Sequence, residues 1–188
     1  MTQPGRIEKN EFANVGIPPS APKSSDVTDM VKTALNNALK SCAQKMGVTS
    51  DETLADWLKM GDSRVHGYFS YALAKQVAEC LATLDDQVKA VYLYDYDATP
   101  EDVCFGEMKQ TPLVHLIVWA QRKTSALNSL VAALDHNLVR NYGDLVQLPQ
   151  LAHLLDVQVI DDADVKNRSG YGGMLFSLHH RPIQVWKR

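Results

Sequence analysis

Two aspartates, Asp95 and Asp97, stand one residue apart directly after an apolar run at residues 88–94. Carboxylates are side chains that can move protons and hold hard cations such as magnesium. A second acidic group follows a later apolar run at residues 154–160: Asp161, Asp162 and Asp164. Acids at strand ends are also common turn formers and helix caps, so a purely structural interpretation stays open.

The segment 92–99, with the sequence YLYDYDAT, resembles the first motif of haloacid-dehalogenase-type phosphatases, an apolar strand running into DxDxT. The resemblance implies a magnesium-dependent phosphohydrolase, in which Asp95 is the nucleophile and Asp97 transfers the proton. The magnesium ligands that it implies are Asp95, Asp97, Asp161 and Asp162, with Asp164 close by in the sequence. Thr124 or Ser125 would bind phosphate, and Lys123 or Lys166 would neutralise charge.

The spacing of apolar residues predicts the elements that would position these side chains. Three helices come first, at residues 26–46, 51–60 and 64–84, with Ser25 and Ser50 as caps of the first two. Two apolar strands at 88–94 and 113–119 are joined by a long acidic link at 95–112. The remaining predicted elements are a helix at 125–142 that Gly143 ends, a strand at 154–160, a turn at 170–173, and a hairpin made of 174–178 and 182–186.

Four of the eight prolines lie in residues 1–24, which we interpret as a proline-bearing N-terminal arm. Residues 25–188 are expected to form a single α/β domain, with a helical part at 25–86 and a sheet-containing part at 87–188. The predicted fold class is α/β (α+β), with a small mixed sheet flanked by helices. The length of 188 residues suits one core.

From about residue 72 to 160 this layout resembles the nucleotidyltransferase superfamily of polymerase-beta and kanamycin-nucleotidyltransferase type. The match lies in VAECL at 77–81 on a helix, VKAVYLY at 88–94 as first strand and LIV at 116–118 ending the second. The family places a Gly-Ser turn after the first strand and two magnesium-binding carboxylates on the second. Here Asp95 and Tyr96 stand at the turn, and Leu113 and His115 stand at the carboxylate positions.

Leucine cannot bind a hard cation, and histidine is a poor ligand for magnesium. The resemblance therefore implies a domain without a metal cofactor that binds a nucleotide or a protein partner instead of transferring a nucleotidyl group. Its ligand-binding candidates are Asp95, Tyr96 and His115. A simpler interpretation of His115 is a packed, hydrogen-bonded strand residue. A structural subunit without any ligand is the third alternative.

Composition limits the partners and the compartment. The formal net charge of −3 gives no broad basic surface, so we do not expect a nucleic-acid partner. Three cysteines without a CxxC pair do not indicate a disulfide framework, so we expect a reducing, cytoplasmic location. No apolar run approaches the roughly 20 residues needed to span a bilayer, and the N-terminus lacks the features of a signal peptide.

The amphipathic first helix and the arm lie outside the region of resemblance. We expect residues 1–46 to contact a protein partner or a second copy of the chain.

Overall fold

The computed structural model describes residues 24–94, 114–147, 151–179 and 181–188. Within these ranges the chain is mixed α+β, as the sequence predicts. The elements in chain order are α1 (Ser24–Met46), α2 (Asp51–Met60), α3 (Ser63–Leu84), β1 (Val88–Leu93), β2 (Val114–Ala120), α4 (Ser125–Val146), β3 (Leu155–Ile160), α5 (Asp162–Asn167), α6 (Tyr171–Met174) and β4 (Ile183–Lys187).

The four strands form one mixed sheet in the order β3-β2-β1-β4. Strand β1 is antiparallel to both β2 and β4, whereas β2 and β3 are parallel. The parallel pair needs a crossover connection, and α4 provides it. The expected small mixed sheet flanked by helices is confirmed, while the relationship to nucleotidyltransferases stays a prediction.

Alternation along the strands separates two surfaces of the sheet. The inner face packs against α3 and α4, onto which α1 and α2 pack in turn. Its residues on β1 and β2 are Val88, Val91, Leu93, Val114, Leu116, Val118 and Ala120. The outer face lies toward α5 and α6 and presents Tyr92, Tyr94, His115, Ile117, Trp119, Asp156 and Gln158.

The largest part of the core lies between the inner face and its helices. Phe69 of α3 and Tyr142 of α4 are fully buried, and their ring centroids are 5.4 Å apart. Burying a large apolar side chain stabilises a fold by about 1.5–3 kcal/mol. The apolar side of α1 is also buried, with Val31 and Ala38 almost inaccessible. That side of α1 is covered within the chain, and the expected partner contact through residues 1–46 stays a prediction.

A buried carboxylate fixes the start of β3. Asp135 of α4 accepts hydrogen bonds from the backbone N–H groups of Leu154 and Leu155, each at 2.9 Å. Nδ1 of His153 lies 2.7 Å from the other carboxylate oxygen of Asp135. These bonds tie α4 to the strand that follows it in the sequence.

Most predicted helix boundaries are confirmed to within two residues, but three details are wrong. Ser50 occupies the N-cap position of α2, but its side chain makes no capping hydrogen bond. Ser25 lies inside α1, which begins at Ser24. Helix α4 continues through Gly143 and ends at Val146, because Tyr142 and Val146 are both buried against the core. The backbone then turns at Gln147, whose φ of 54° is left-handed.

The predicted turn and hairpin near the C-terminus are also wrong. Residues 171–174 form the short helix α6, residues 174–178 form no strand, and β4 pairs with β1 instead. Helix α6 packs on α5 so closely that a Cβ on Gly172 would lie 2.6 Å from the carbonyl group of Asp164. Packing therefore requires glycine at position 172. From the sequence alone, this segment indicates only a flexible glycine-containing turn.

Candidate functional site

The polar side chains of the outer face converge where β1 ends and β2 and β3 begin. In the parallel pair of β2 and β3, His115 is opposite Asp156. In the antiparallel pair, Tyr94 follows the last residue of β1, and its backbone N–H donates to the carbonyl oxygen of His115. Three neighbouring strands thus bring one tyrosine, one histidine and one aspartate together.

Asp156 is the centre of this group, which we call the Asp156 cluster: Tyr94, His115, Asp156 and Gln158. Oδ2 of Asp156 accepts a hydrogen bond from the Tyr94 hydroxyl at 3.0 Å and lies 2.9 Å from Nδ1 of His115. Oδ1 accepts from Nε2 of Gln158 at 3.0 Å. The His115 ring also lies beside the Tyr94 ring, with centroids 5.3 Å apart.

The electrostatics of the cluster favour an ionised Asp156. Burial raises the pKa of this carboxyl, but the hydrogen bonds from His115, Tyr94 and Gln158 outweigh it and leave the pKa below its usual range. The pKa of Tyr94 is raised, first by burial and then by its hydrogen bond to Asp156. Tyr94 therefore stays a neutral hydrogen-bond donor at physiological pH.

An ionised Asp156 can only accept hydrogen bonds, so Nδ1 of His115 carries the proton in their contact. The second ring nitrogen, Nε2, makes no hydrogen bond with any residue that the structure describes. It offers a ligand an acceptor when the ring is neutral and a donor when the ring is protonated. The His115 side chain is 23% exposed, so a ligand can reach part of it.

A second polar group lies at the other end of β1 and β2. Nζ of Lys89 is 2.6 Å from Oδ2 of Asp162, and the indole N–H of Trp119 donates to Oδ1 at 2.8 Å. These bonds lower the pKa of Asp162, with that from Lys89 contributing most. Nearby, Nζ of Lys123 is 2.6 Å from Asp164.

Between α6 and the β1/β4 side of the outer face lies a cavity of about 410 Å³. Tyr92 and Trp119 contribute to it from the sheet, and Phe176 contributes from the segment after α6. Arg181 and Gln184 line it near β4. Since residues of the Asp156 cluster do not line this cavity, the outer face carries two separate concentrations of polar and aromatic groups.

Some of the residues singled out in the sequence lie in the described part of the structure, and others do not. Asp95, Tyr96, Asp97 and Leu113 lie outside the described residues, so their proposed roles stay predictions. His115 is a hydrogen-bonded strand residue, as the simpler interpretation expects. Asp161 caps α5 by accepting from the backbone N–H groups of Ala163 and Asp164.

The carboxylates after β3 all have protein partners in the structure: Asp161 with the α5 N-terminus, Asp162 with Lys89 and Trp119, and Asp164 with Lys123 and Ser169. The hydroxyl of Thr124 caps α4 by accepting from the N–H of Leu127. Among the described residues, no group of three or more His, Cys, Asp or Glu side chains is placed to hold a metal ion.

Neither described cysteine is a candidate nucleophile. Cys42 and Cys80 are buried, and burial raises the pKa of each thiol to about 11. Both therefore stay protonated at physiological pH and behave as small apolar side chains.

Neither Asp156 nor Trp119 was identified as a site residue from the sequence. The signal for Asp156 is present in β3, where Asp156 and Gln158 alternate with Leu155, Val157 and Val159. Such alternation is typical of a strand with one polar face. No local pattern identifies His115 and Tyr94 as the partners, because they come from other strands.

Comparison of the chain with protein-family models, with curated proteins and with solved structures finds no match. Within the described residues, no helix is long and apolar enough to cross a membrane. A function is therefore inferred from the side chains described above.

Proposed function

We propose that this chain is a nucleotidyltransferase-like domain that binds a nucleotide without transferring it, with the Asp156 cluster as part of the binding site. The supporting observation is the geometry around His115. At a position where the resembling family carries a magnesium-binding carboxylate, this chain has an imidazole oriented by Asp156 at 2.9 Å. An imidazole offers a hydrogen bond to a ligand but is a poor substitute for an oxygen ligand of magnesium.

The arrangement also favours binding over metal-assisted chemistry because most of the hydrogen-bond acceptor capacity of the Asp156 carboxylate is already used. Asp156 accepts three hydrogen bonds from Tyr94, His115 and Gln158, which leaves little of its coordination capacity for a cation. The cluster is rigidly connected through three strands, so a ligand meets a preorganised donor and acceptor set. Asp95 and Tyr96 directly follow Tyr94 in the sequence and are the expected additional contacts.

Isothermal titration calorimetry with ATP tests the proposal, first in EDTA and then with magnesium. We expect binding in both buffers, no release of phosphate or pyrophosphate, and at least tenfold weaker binding for His115→Ala. The matched control is His153→Ala, because His153 also contacts a carboxylate but lies at the start of β3 beside α4. Circular dichroism and thermal unfolding of both variants confirm that they fold.

Two results would contradict the proposal. The first is magnesium-dependent phosphate release that Asp95→Asn abolishes, which would favour the phosphohydrolase alternative. The second is the absence of ATP binding in either buffer, which would leave a protein partner or a structural role.

A further inference from the structure

The cavity on the β1/β4 side of the outer face has the size of a small-molecule site. Its volume of about 410 Å³ lies within the range of roughly 300–1,000 Å³ that is usual for ligand pockets. Strands β1, β2 and β4 form its floor through Tyr92, Trp119 and Gln184, and the segment after α6 forms a wall through Leu175 and Phe176. Arg181 stands beside β4.

Three of the lining side chains are aromatic. Phe176 is 48% exposed, so a large part of its ring is free to contact a ligand. Trp119 is held in place by its hydrogen bond to Asp162, and Nζ of Lys89 lies 5.6 Å from its ring centroid. Aromatic walls with fixed orientation favour a planar ring, which can stack or approach edge to face at little entropic cost.

Among the described residues, the side chains around the cavity that lack an opposite charge are positive. Arg181 forms no ion pair with a carboxylate in the part of the chain that the structure describes. The guanidinium of Arg168 lies 4.8 Å from the ring centroid of Phe176, and it too lacks a carboxylate partner among those residues.

Two described acids of α5 already have cationic partners. Asp162 pairs with Lys89, and Asp164 pairs with Lys123. Within the described part of the chain, the two arginines therefore supply positive charge without a carboxylate partner next to aromatic walls, and a negative ligand group would be attracted to them.

We propose that this cavity binds a planar aromatic molecule that carries a negative charge, with its ring against Trp119 and Phe176 and its anionic group near Arg181. The site goes beyond the proposed function, because its lining contains no residue of the Asp156 cluster and its occupation does not require a nucleotide at His115. Gln184 would add one hydrogen bond to the polar end of the ligand.

The test compares two probes of the same shape, 2-naphthoate and its neutral amide 2-naphthamide, by isothermal titration calorimetry of the full chain at pH 7. We expect 2-naphthoate to bind at least tenfold more tightly than 2-naphthamide. Arg181→Gln should weaken naphthoate binding at least tenfold and leave naphthamide binding unchanged. Phe176→Ala should weaken both probes, since both use the aromatic wall.

Arg140→Gln is the matched control, because Arg140 is an exposed arginine on α4, on the inner side of the sheet. It should leave naphthoate binding unchanged. The proposal is overturned if naphthoate does not bind at millimolar concentration, if both probes bind equally, or if Arg140→Gln has the same effect as Arg181→Gln.

His115→Ala separates this proposal from the preceding one. Unchanged naphthoate binding in that variant supports an independent cavity, whatever its effect on ATP. Loss of naphthoate binding in His115→Ala would contradict a separate site. Conversely, ATP binding that is lost in Arg181→Gln but kept in His115→Ala would move the nucleotide to the cavity and contradict the proposed role of the Asp156 cluster.

Discussion

The two faces of the sheet differ in what their side chains do. On the inner face, β1 and β2 present valine, leucine and alanine to α3 and α4, and nearly all of these residues are inaccessible. On the outer face, the same strands present Tyr92, Tyr94, His115 and Trp119, which make hydrogen bonds or line a cavity. The inner surface therefore supplies most of the stability, and the outer surface carries the groups capable of recognition.

Two phenylalanines should show the largest contrast between the faces. Phe69 is fully buried beneath the inner face, whereas Phe176 is 48% exposed at the cavity. We expect Phe69→Ala to lower the free energy of unfolding by about 3–5 kcal/mol, because it removes a core side chain and leaves a cavity. Phe176→Ala should cost about 0.5 kcal/mol. Urea denaturation measures both, and similar losses would refute the division of roles.

Two aspartates with three hydrogen bonds each provide the next contrast. Asp135 is buried, and its replacement by alanine leaves the N–H groups of Leu154 and Leu155 without their acceptor. We expect Asp135→Ala to lower the free energy of unfolding by about 2–4 kcal/mol.

The side chain of Asp156 is 38% exposed, so water can replace part of its bonds. Asp156→Ala should cost about 1 kcal/mol or less in the same urea experiment. A larger loss for Asp156 than for Asp135 would mean that the outer cluster contributes to stability as strongly as the core.

Replacing two different tyrosines by phenylalanine should change the free energy of unfolding in opposite directions. The hydroxyl of Tyr142 is buried and has no hydrogen-bond partner among the residues that the structure describes, whereas Tyr94 donates to Asp156. Tyr142→Phe should raise the free energy of unfolding by about 1 kcal/mol, and Tyr94→Phe should lower it by about 1 kcal/mol. For a chain of this size, thermal unfolding should show shifts of about 2–4 °C up and down. A decrease for Tyr142→Phe would indicate a partner for that hydroxyl.

The smallest expected effect is the change in the free energy of unfolding with pH. The pKa of Asp156 in the folded chain lies below the ordinary value of 3.8, so its hydrogen bonds stabilise the fold fully above about pH 4. This contribution should be lost as the pH falls below that value and the carboxylate becomes protonated. Asp162 and Asp164 act in the same direction through Lys89 and Lys123.

Urea denaturation between pH 7 and pH 3 measures this contribution in the native chain and in Asp156→Asn. The variant should lose less stability in acid than the native chain. Parallel curves of the free energy of unfolding against pH for the two proteins would show that ionisation of Asp156 does not stabilise the fold.

Local patterns in the sequence predicted the elements well where one surface is apolar. The helix at 64–84 and the strands at 88–94 and 113–119 appear close to their expected limits. The pattern failed at Gly143 and at residues 170–178, where tertiary packing outweighs the usual effect of glycine. Gly172 shows this directly, because the backbone of Asp164 occupies the space that any side chain would need.

Local residue patterns are enough to indicate the order of elements as far as β3, the two-sided character of the strands and the presence of His115 on a strand with no acid beside it, because these properties depend on neighbouring residues. The tertiary structure decided that Asp156 and Tyr94 contact His115, that Lys89 and Trp119 share Asp162, and that Arg181 stands beside an aromatic cavity. Several of these contacts join residues that are far apart in the chain: His115 and Asp156 by 41 positions, Tyr94 and Asp156 by 62, and Lys89 and Asp162 by 73. Strand order and register set them, and neither can be derived from the local spacing of residue types.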